Sequence, residues 1–207
     1  MTSPSVQFLF DFGSPNAYLC HRVIPAIEGR THVNFTYVPI LLGGLFKLTN
    51  NRSPAEAFAD IPNKRAYDRL EFERFLLRHQ ISQFQHNPFF PVNTLKIMRG
   101  AVAAQTLDCL APYVQAMYVA MWEEARNMDD LDQIVAVLER AGLDAEKILA
   151  TSQLPEVKAA LILNTETAAK KGAFGSPSFL VNDDLYFGKD RLREVEEAVL
   201  RGFSPAR

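Results

Sequence analysis

The chain has 207 residues, of which 48% are hydrophobic and 22% are charged, and its formal net charge is -2. This composition is typical of a globular protein and excludes an intrinsically disordered chain. The nearly balanced charge provides no broad basic field, which argues against nucleic acid as the main partner. The length predicts a single core that carries a large insertion.

The N-terminus, residues 1–5, lacks a basic start followed by an apolar segment, and no apolar run in the chain reaches bilayer length. We therefore expect no membrane partner and a location in a cytoplasm or an organelle matrix. The two cysteines, Cys20 and Cys109, form no CxxC pair and are expected to be buried, reduced thiols. The four histidines, at positions 21, 32, 79 and 86, lack the spacing of metal ligands, so we expect no metal.

The first forty residues predict a β-α-β unit. Residues 6–12 (VQFLFDF) are rich in aromatic and β-branched residues and predict a buried strand. Ser14 and Pro15 predict a helix start, because serine can cap free N–H groups and proline has no N–H to satisfy. This helix is expected to run to about Glu28 and to stop at Gly29. Residues 33–40 (VNFTYVPI) alternate in polarity and predict the second strand.

The remainder of the chain predicts a helical block and then a hairpin. Apolar residues at helical spacing predict helices over residues 61–80, 94–110, 113–124, 131–140 and 154–171. Residues 178–182 and 185–187 predict two short strands joined by a turn-prone Asn-Asp-Asp segment, and residues 190–200 predict a last amphipathic helix.

This order, β-α-β, helical block, α-β-β-α, is that of a thioredoxin fold interrupted after its second strand. The predicted fold is therefore α/β, with an all-helical insertion domain over residues 43–164. The thioredoxin-like domain comprises residues 1–42 and 165–207.

Three segments carry a more specific resemblance: FDFGSPNAYL around Ser14, GAFGSPSFLV around Pro177 and YFGKDRL around Asp190. The segments NNRSP, IPNKRAY and FPVNTL fall between them in the expected order. Over nearly its whole length the chain resembles the family of 2-hydroxychromene-2-carboxylate isomerase and kappa-class glutathione transferase, which belongs to the DsbA-like thioredoxin superfamily. The resemblance implies glutathione as the cofactor and a homodimer.

In this resemblance Ser14 stands where redox relatives carry their attacking cysteine. The N–H groups and dipole of a helix N-terminus stabilise a thiolate at that place. A serine cannot exchange disulfides, but its hydroxyl can donate a hydrogen bond to the thiolate of bound glutathione. The alternative interpretation is that Ser14 only caps its helix.

The same resemblance assigns further contacts with glutathione. A cis bond before Pro177 would present the N–H and C=O of Ser176 to the cysteinyl backbone of glutathione. Asp190 would receive the γ-glutamyl ammonium, although a helix N-cap or first-turn acid would also explain this residue. Lys189 occupies a position where small hydroxyl residues also occur, so its side chain has no firm role, and Arg191 is assigned to the same turn.

Five residues of the helical block are assigned with alternatives. Lys64 would meet the glycyl carboxylate of glutathione or the carboxylate of a substrate, and Asn51 would orient the same group. Without the resemblance, both are solvated surface residues. Phe46, Phe89 and Phe90 form either an apolar wall for an aromatic substrate or part of the core.

The function implied by the resemblance is a glutathione-dependent isomerase of aromatic catabolism, in which the thiolate adds reversibly to an activated double bond of a small carboxylated aromatic substrate. A kappa-class-like transferase acting on an electrophile is the alternative. The absence of cysteine at positions 14–17 disfavours a DsbA-like thiol oxidoreductase. Asn51, Lys64 and Asp190 together disfavour a non-catalytic binding module, which needs none of them.

Overall fold

The computed structural model describes residues 4–202 of the chain. The predicted thioredoxin-like domain begins at residue 1 and ends at residue 207, and both of these limits lie outside this range. Three of the five N-terminal residues considered above, residues 1–3, also lie outside it.

Four strands form one mixed sheet, in the order β2-β1-β3-β4. They are β1 (Val6–Phe10), β2 (Phe35–Pro39), β3 (Ser178–Val181) and β4 (Asp184–Phe187). Strand β1 is parallel to β2 and antiparallel to β3, and β3 and β4 form an antiparallel hairpin. The four predicted strands are confirmed, with ends that shift by no more than two residues.

Ten α-helices and one 3-10 turn surround the sheet within the described part of the chain. The helices are α1 (Pro15–Thr31), α2 (Leu42–Thr49), α3 (Pro54–Ala57), α4 (Pro62–Arg78), α5 (Leu95–Thr106), α6 (Leu110–Trp122), α7 (Leu131–Arg140), α8 (Ala145–Ser152), α9 (Pro155–Lys170) and α10 (Leu192–Arg201). The 3-10 turn, Lys189–Arg191, directly precedes α10.

Helix α1 ends later than the sequence predicted. It passes through Gly29, which is exposed, and continues to Thr31, so the predicted stop at Gly29 is wrong. A single glycine on a solvent face costs a helix only about 1 kcal/mol. The chain leaves the helix at His32, which adopts a φ of 57° and donates its N–H to the Glu28 carbonyl at 2.8 Å.

Three short helices, α2, α3 and α8, were not predicted. Gly43 and Gly44 hide the pattern of α2, because glycine is a poor helix former, and α3 has only four residues. The five predicted helices of the block are confirmed as α4, α5, α6, α7 and α9. Two of their ends were predicted wrongly: α5 stops at Thr106, four residues early, because the chain turns at Asp108 with a φ of 55°, and α6 starts at Leu110, three residues early. The domain division stays a prediction, and α9 runs without a break across its boundary at residue 165.

The sheet separates two apolar cores. Successive side chains of a strand point to opposite faces, so Phe8 and Phe10 of β1 enter the larger core, whereas Leu9 enters the smaller one. The larger core includes α1, α5 and α6, and the smaller one includes Leu180 of β3 and Ala168 of α9. The turn that joins β1 to α1 is therefore held by well-packed elements.

The half-buried imidazole of His21 lies on α1 and is held on both nitrogens. Its Nδ1 lies 2.8 Å from the Tyr37 hydroxyl and its Nε2 3.0 Å from the Gln115 side-chain oxygen. Removal from water is the main reason that the pKa of His21 falls from 6.5 to about 4. The folded state therefore favours the neutral form of the His21 ring over the protonated form.

This ring predicts a loss of stability in mild acid. Because the folded pKa of His21 lies below the unfolded one, the unfolded chain binds more protons between pH 6.5 and pH 4, and stability falls as the pH drops through this window. We expect about 1–2 kcal/mol of the free energy of unfolding to be lost between pH 7 and pH 5. Urea unfolding of wild type and His21→Gln at both pH values measures this loss.

His79 provides the control, because it is a second histidine whose pKa is lowered in the folded protein. Its side chain is more exposed than that of His21, and the part of the ring that is removed from water is the main cause of the lowered pKa. His79→Gln should keep most of the loss between pH 7 and pH 5, whereas His21→Gln should remove most of it. An equal pH dependence in His21→Gln and wild type would contradict the prediction.

Across residues 4–202, none of the helices is both long and apolar enough to span a bilayer. In the same part of the chain, histidine, cysteine and acidic side chains do not gather in groups of three or more that could hold a metal ion.

Candidate active site

The turn after β1 places Ser14 at the N-terminus of α1. The Ser14 Oγ accepts a hydrogen bond from the Ala17 N–H at 3.2 Å, and Pro15 occupies the first helical position. The predicted helix cap is therefore confirmed. The residue is only 4% exposed, so its hydroxyl acts within a protein environment and not in bulk water.

The Ser14 hydroxyl also reaches the loop before β3. It donates to the Ser176 carbonyl at 2.8 Å, across 162 residues of sequence. The peptide bond between Ser176 and Pro177 is cis, as the resemblance implied, and the bond between Phe90 and Pro91 is a second cis bond that was not predicted. The structure thus brings Ser14 into direct contact with the proposed cysteinyl-docking carbonyl.

The turn that precedes α10 is joined to the same loop. The Gly188 N–H donates to the Pro177 carbonyl at 3.0 Å. The Lys189 side chain is only 7% exposed, pairs with the Asp190 carboxylate and lies with its Nζ 5.1 Å from the centre of the Phe75 ring. Asp190 itself is open to solvent, with 63% of its side chain exposed.

The last helix begins later than predicted. Residues 189–191 form the 3-10 turn, and α10 starts at Leu192, so the predicted start at Asp190 is wrong. Gly188 has a φ of 96°, and the residues after it form the 3-10 turn. In this turn the Arg191 N–H donates to the Gly188 carbonyl at 3.2 Å. The N-cap residues of the 3-10 turn and of α10 are Gly188 and Arg191, so Asp190 is not an N-cap, but it is an acidic residue in the first turn, which agrees with the other part of the alternative interpretation.

Two other predicted site residues, Lys64 and Arg191, make mainly local contacts. Lys64 forms an ion pair with Asp68 on the same helix, and its Nζ lies 5.0 Å from the centre of the Phe58 ring. Arg191 pairs with Glu194 at 2.8 Å. Neither contact joins these side chains to Ser14.

Asn51, by contrast, reaches the cis-proline loop. Its Nδ2 donates to the carbonyl of Phe174 at 2.8 Å, two residues before Ser176. The helical block and the loop are therefore linked directly, which supports a role for Asn51 near the predicted site.

The three aromatic residues assigned to a substrate wall or to the core lie outside both apolar cores. Phe46 is half-buried, whereas Phe89 and Phe90 are about half exposed, at 52% and 48%. The Phe90 ring lies 5.9 Å from the ring of Trp122, whose Nε1–H donates to the Phe12 carbonyl at 2.8 Å. Phe90 is thereby positioned beside the segment that leads to Ser14.

A second exposed aromatic pair was missed by the sequence analysis. The rings of Phe174 and Phe187 lie 4.4 Å apart, and both are partly exposed. Phe174 directly precedes Gly175 and Phe187 directly precedes Gly188, and both glycines belong to the segments that carry the family resemblance. These positions could have identified the two residues as site candidates from the sequence. The pair provides apolar surface between the cis-proline loop and the turn before α10.

The two cysteines differ in burial. Cys20 is fully buried on α1, and burial raises the pKa of its thiol well above the ordinary value. Cys109 is only half-buried, so its predicted burial is wrong, because it lies at the exposed start of α6. Partial burial also raises the pKa of Cys109, so both thiols are poor nucleophiles at neutral pH.

The sheet order, the cis-proline loop and the serine-capped helix together define a thioredoxin-fold protein in which the helix after the first strand begins at a serine. The sequence model described as the DSBA-like thioredoxin domain matches residues 5–200, and the chain belongs to this family.

Relatives within this family are enzymes of two kinds. Glutathione S-transferase kappa 1 of Homo sapiens is 26% identical over 206 residues, covering 91% of this chain and 87% of that protein. The 2-hydroxychromene-2-carboxylate isomerase of Sphingobium xenophagum is 24% identical over 196 residues, covering 95% and 98%.

Solved structures agree with this placement. A 2-hydroxychromene-2-carboxylate isomerase structure superposes with a TM-score of 0.78 at 25% identity and covers 95% of this chain and 94% of that chain. The oxidoreductase DsbA of Xylella fastidiosa shares the fold, with a TM-score of 0.63 at 18% identity over 97% of this chain and 86% of that one.

Proposed function

We propose that this protein is a glutathione-dependent isomerase of the 2-hydroxychromene-2-carboxylate type. The observation that carries the proposal is the contact between the Ser14 hydroxyl and the Ser176 carbonyl, at 2.8 Å, beside the cis bond before Pro177. It places one hydroxyl donor, one helix N-terminus and one peptide group at a single point. These three groups suit a cysteinyl thiol attached to a peptide backbone.

Residues beside this contact fit two further groups of glutathione, the cysteinyl N–H and the γ-glutamyl ammonium. The Ser176 carbonyl can accept the cysteinyl N–H, and the exposed Asp190 carboxylate can accept the γ-glutamyl ammonium. Lys189 already pairs with Asp190, so a ligand ammonium must share or replace this contact. We assign Lys64 and Asn51 to carboxylate binding on the side of the helical block, with Arg191 at the border of the turn.

Ser14 is assigned the role of stabilising a thiolate. In the structure its hydroxyl proton points to the Ser176 carbonyl, and its oxygen accepts from the Ala17 N–H. When the Ser176 carbonyl receives another donor, Ser14 can turn its proton to a sulfur atom while its oxygen keeps the bond to Ala17. The hydroxyl and the helix N-terminus then act together on a negative charge.

When bound, glutathione would supply a thiolate nucleophile for reversible addition to an activated double bond. The chain's part is to orient the thiol, to stabilise its charge and to hold a carboxylated aromatic substrate. Half-exposed Phe90 and the pair of Phe174 and Phe187 offer apolar surface for such a ring.

A kappa-class-like transferase is the second candidate, favoured by the 26% identity with the human enzyme over 91% of this chain. The same activated thiol would then remain attached to an electrophilic product. A thiol oxidoreductase is less favoured, because residues 14–17 contain no cysteine.

The test is an absorbance assay on 2-hydroxychromene-2-carboxylate with and without glutathione. We expect conversion only when glutathione is present, with glutathione recovered unchanged. Conversion without glutathione would contradict the mechanism, and recovery of a glutathione conjugate would favour the transferase.

The remaining proposals concern assembly and location. From the resemblance we propose a homodimer in the cytoplasm, or in an organelle matrix if the source is a eukaryote, with no nucleic acid or membrane partner. Sedimentation equilibrium of the full chain tests the dimer.

A further inference from the structure

Asp11 is a buried acid at the end of β1, three residues before Ser14. It is 1% exposed and was not among the predicted site residues. The signal in the sequence was an acidic residue inside the apolar run 6–12. Acidic side chains are almost never fully buried unless partners satisfy them, so the partners of Asp11 define its role.

The Asp11 carboxylate joins three segments. Its Oδ1 accepts from the Gly13 N–H at 2.8 Å, and its Oδ2 accepts from the Leu42 N–H at 2.8 Å. The Thr94 hydroxyl provides a further hydrogen bond. The turn before Ser14, the start of α2 and the start of α5 therefore share one carboxylate.

The backbone of Asp11 holds the two residues of the proposed site. Its N–H donates to the Ser176 Oγ at 3.2 Å, and its carbonyl accepts from the Ser14 N–H at 3.1 Å. Any shift of Asp11 must therefore move Ser14, Ser176 or both. The 2.8 Å contact between these two serines depends on the same anchor.

The burial of this acid has a cost that its hydrogen bonds offset only in part. Desolvation raises the pKa of Asp11 above its ordinary value, although the N–H groups of Leu42 and Gly13 act in the opposite direction. Tyr118 is a buried titratable neighbour whose pKa is raised chiefly by burial and further by the charge of Asp11. An apolar residue would avoid this cost but would leave buried N–H groups without an acceptor.

We propose that Asp11 is a positioning residue that fixes the Ser14 hydroxyl relative to the cis-proline loop, so that Ser14 meets the thiol of bound glutathione in the correct orientation. This inference rests on the proposed function. Asp11 touches neither substrate nor cofactor and acts through Gly13, Ser14 and Ser176.

The main test is Asp11→Asn. Asparagine has one acceptor oxygen where aspartate has two, so its NH2 group must face the N–H of either Gly13 or Leu42. We expect kcat to fall about five- to ten-fold at neutral pH while KM for glutathione changes less than about two-fold. The pKa of the bound glutathione thiol, followed by thiolate absorbance against pH, should rise by about half a unit to one unit.

A second readout needs no glutathione. Hydrogen exchange at the amides of Gly13 and Ser14 in the ligand-free protein should accelerate about ten-fold or more in Asp11→Asn, because the carboxylate no longer fixes the turn. This measurement tests the positioning geometry independently of turnover.

Thr165→Val is the matched control. The Thr165 hydroxyl is also buried and accepts from the Leu41 N–H at 2.9 Å, directly beside the Leu42 N–H held by Asp11. This variant weakens the start of α2 without a direct contact to Gly13, Ser14 or Ser176. We expect wild-type thiol pKa and wild-type exchange at Gly13, with reduced thermal stability.

Thr94→Val covers the case in which Asp11→Asn does not fold, because it removes one hydroxyl bond to Asp11 and preserves the shape of the side chain. We expect smaller changes in the same direction. Unchanged thiol pKa and unchanged Gly13 exchange in Asp11→Asn, or in Thr94→Val if only that variant folds, would overturn the proposal. Equal changes in Thr165→Val would also overturn it. A wild type that fails to bind glutathione would instead contradict the proposed function.

Discussion

Ser14→Ala is expected to lower kcat by roughly 10- to 100-fold at neutral pH and to leave glutathione affinity within about two-fold of wild type. A free cysteine thiol has a pKa near 8.5, so only a few per cent is thiolate at pH 7. The Ser14 hydroxyl and the N-terminus of α1 together should lower this pKa by about one to two units in the bound cofactor. Activity of the variant should recover in part as the pH rises.

The direct measurement is the thiolate absorbance of bound glutathione against pH in wild type and Ser14→Ala. Ser14→Thr retains a hydroxyl and should restore part of the activity, whereas Ser14→Asp retains the helix cap but has no proton to donate at neutral pH. If Ser14→Asp were as active as wild type, Ser14 would only cap α1.

A remote serine controls for the general loss of a buried hydroxyl. The Ser152 Oγ is buried and donates to the Leu149 carbonyl at 2.7 Å at the end of α8. Ser152→Ala removes this bond and the one that the Gln153 side chain donates to the Ser152 Oγ at 3.2 Å. It should reduce stability by about 1 kcal/mol per lost hydrogen bond and should leave the thiol pKa unchanged.

Asp190→Asn is expected to weaken glutathione binding by roughly 10- to 100-fold. An ammonium–carboxylate hydrogen bond contributes about 1.5–3 kcal/mol, and the neutral amide contributes less. The side chain is 63% exposed, so solvent screening favours the lower part of this range until the ligand covers the group. Isothermal titration at fixed ionic strength measures the loss.

The loss should be selective for one end of the ligand. A glutathione analogue without the γ-glutamyl amine should bind wild type and Asp190→Asn about equally. Glu194→Gln, which removes the partner of Arg191 just beyond the same turn, should keep wild-type affinity for both ligands. Equal weakening of both ligands by Asp190→Asn would show that the variant disturbs the turn and not a specific ammonium contact.

Lys189 adds a separate measurement to the Asp190 experiment. Its side chain is buried against Phe75 and loses its carboxylate partner in Asp190→Asn, so the free energy of unfolding should also fall. Stability and affinity must therefore be measured on the same preparation.

The elements of the fold could be predicted where local chemistry determines them. Ser14 and Pro15 determine the start of α1, because capping and the fixed φ of proline act within one turn of chain. The strand β1 follows from a short run of aromatic and β-branched residues, and helix α7 follows from apolar residues at helical spacing. Helix α2 could not be found in this way, because Gly43 and Gly44 lower local helix propensity and its helical form depends on packing against α9.

The sequence by itself determined the order of the four strands and of the longer helices, and the capped helix start at Ser14, because these features depend on residues that are neighbours in the chain. Only the tertiary structure decided that the Ser14 hydroxyl donates to the Ser176 carbonyl. The same holds for the position of Lys189 between the Asp190 carboxylate and the Phe75 ring, and for the hydrogen bond from the Leu42 N–H at the start of α2 to buried Asp11. Hydrogen-bond partners and burial depend on segments that lie far apart in sequence, and only packing brings such segments within 3 Å or so of one another.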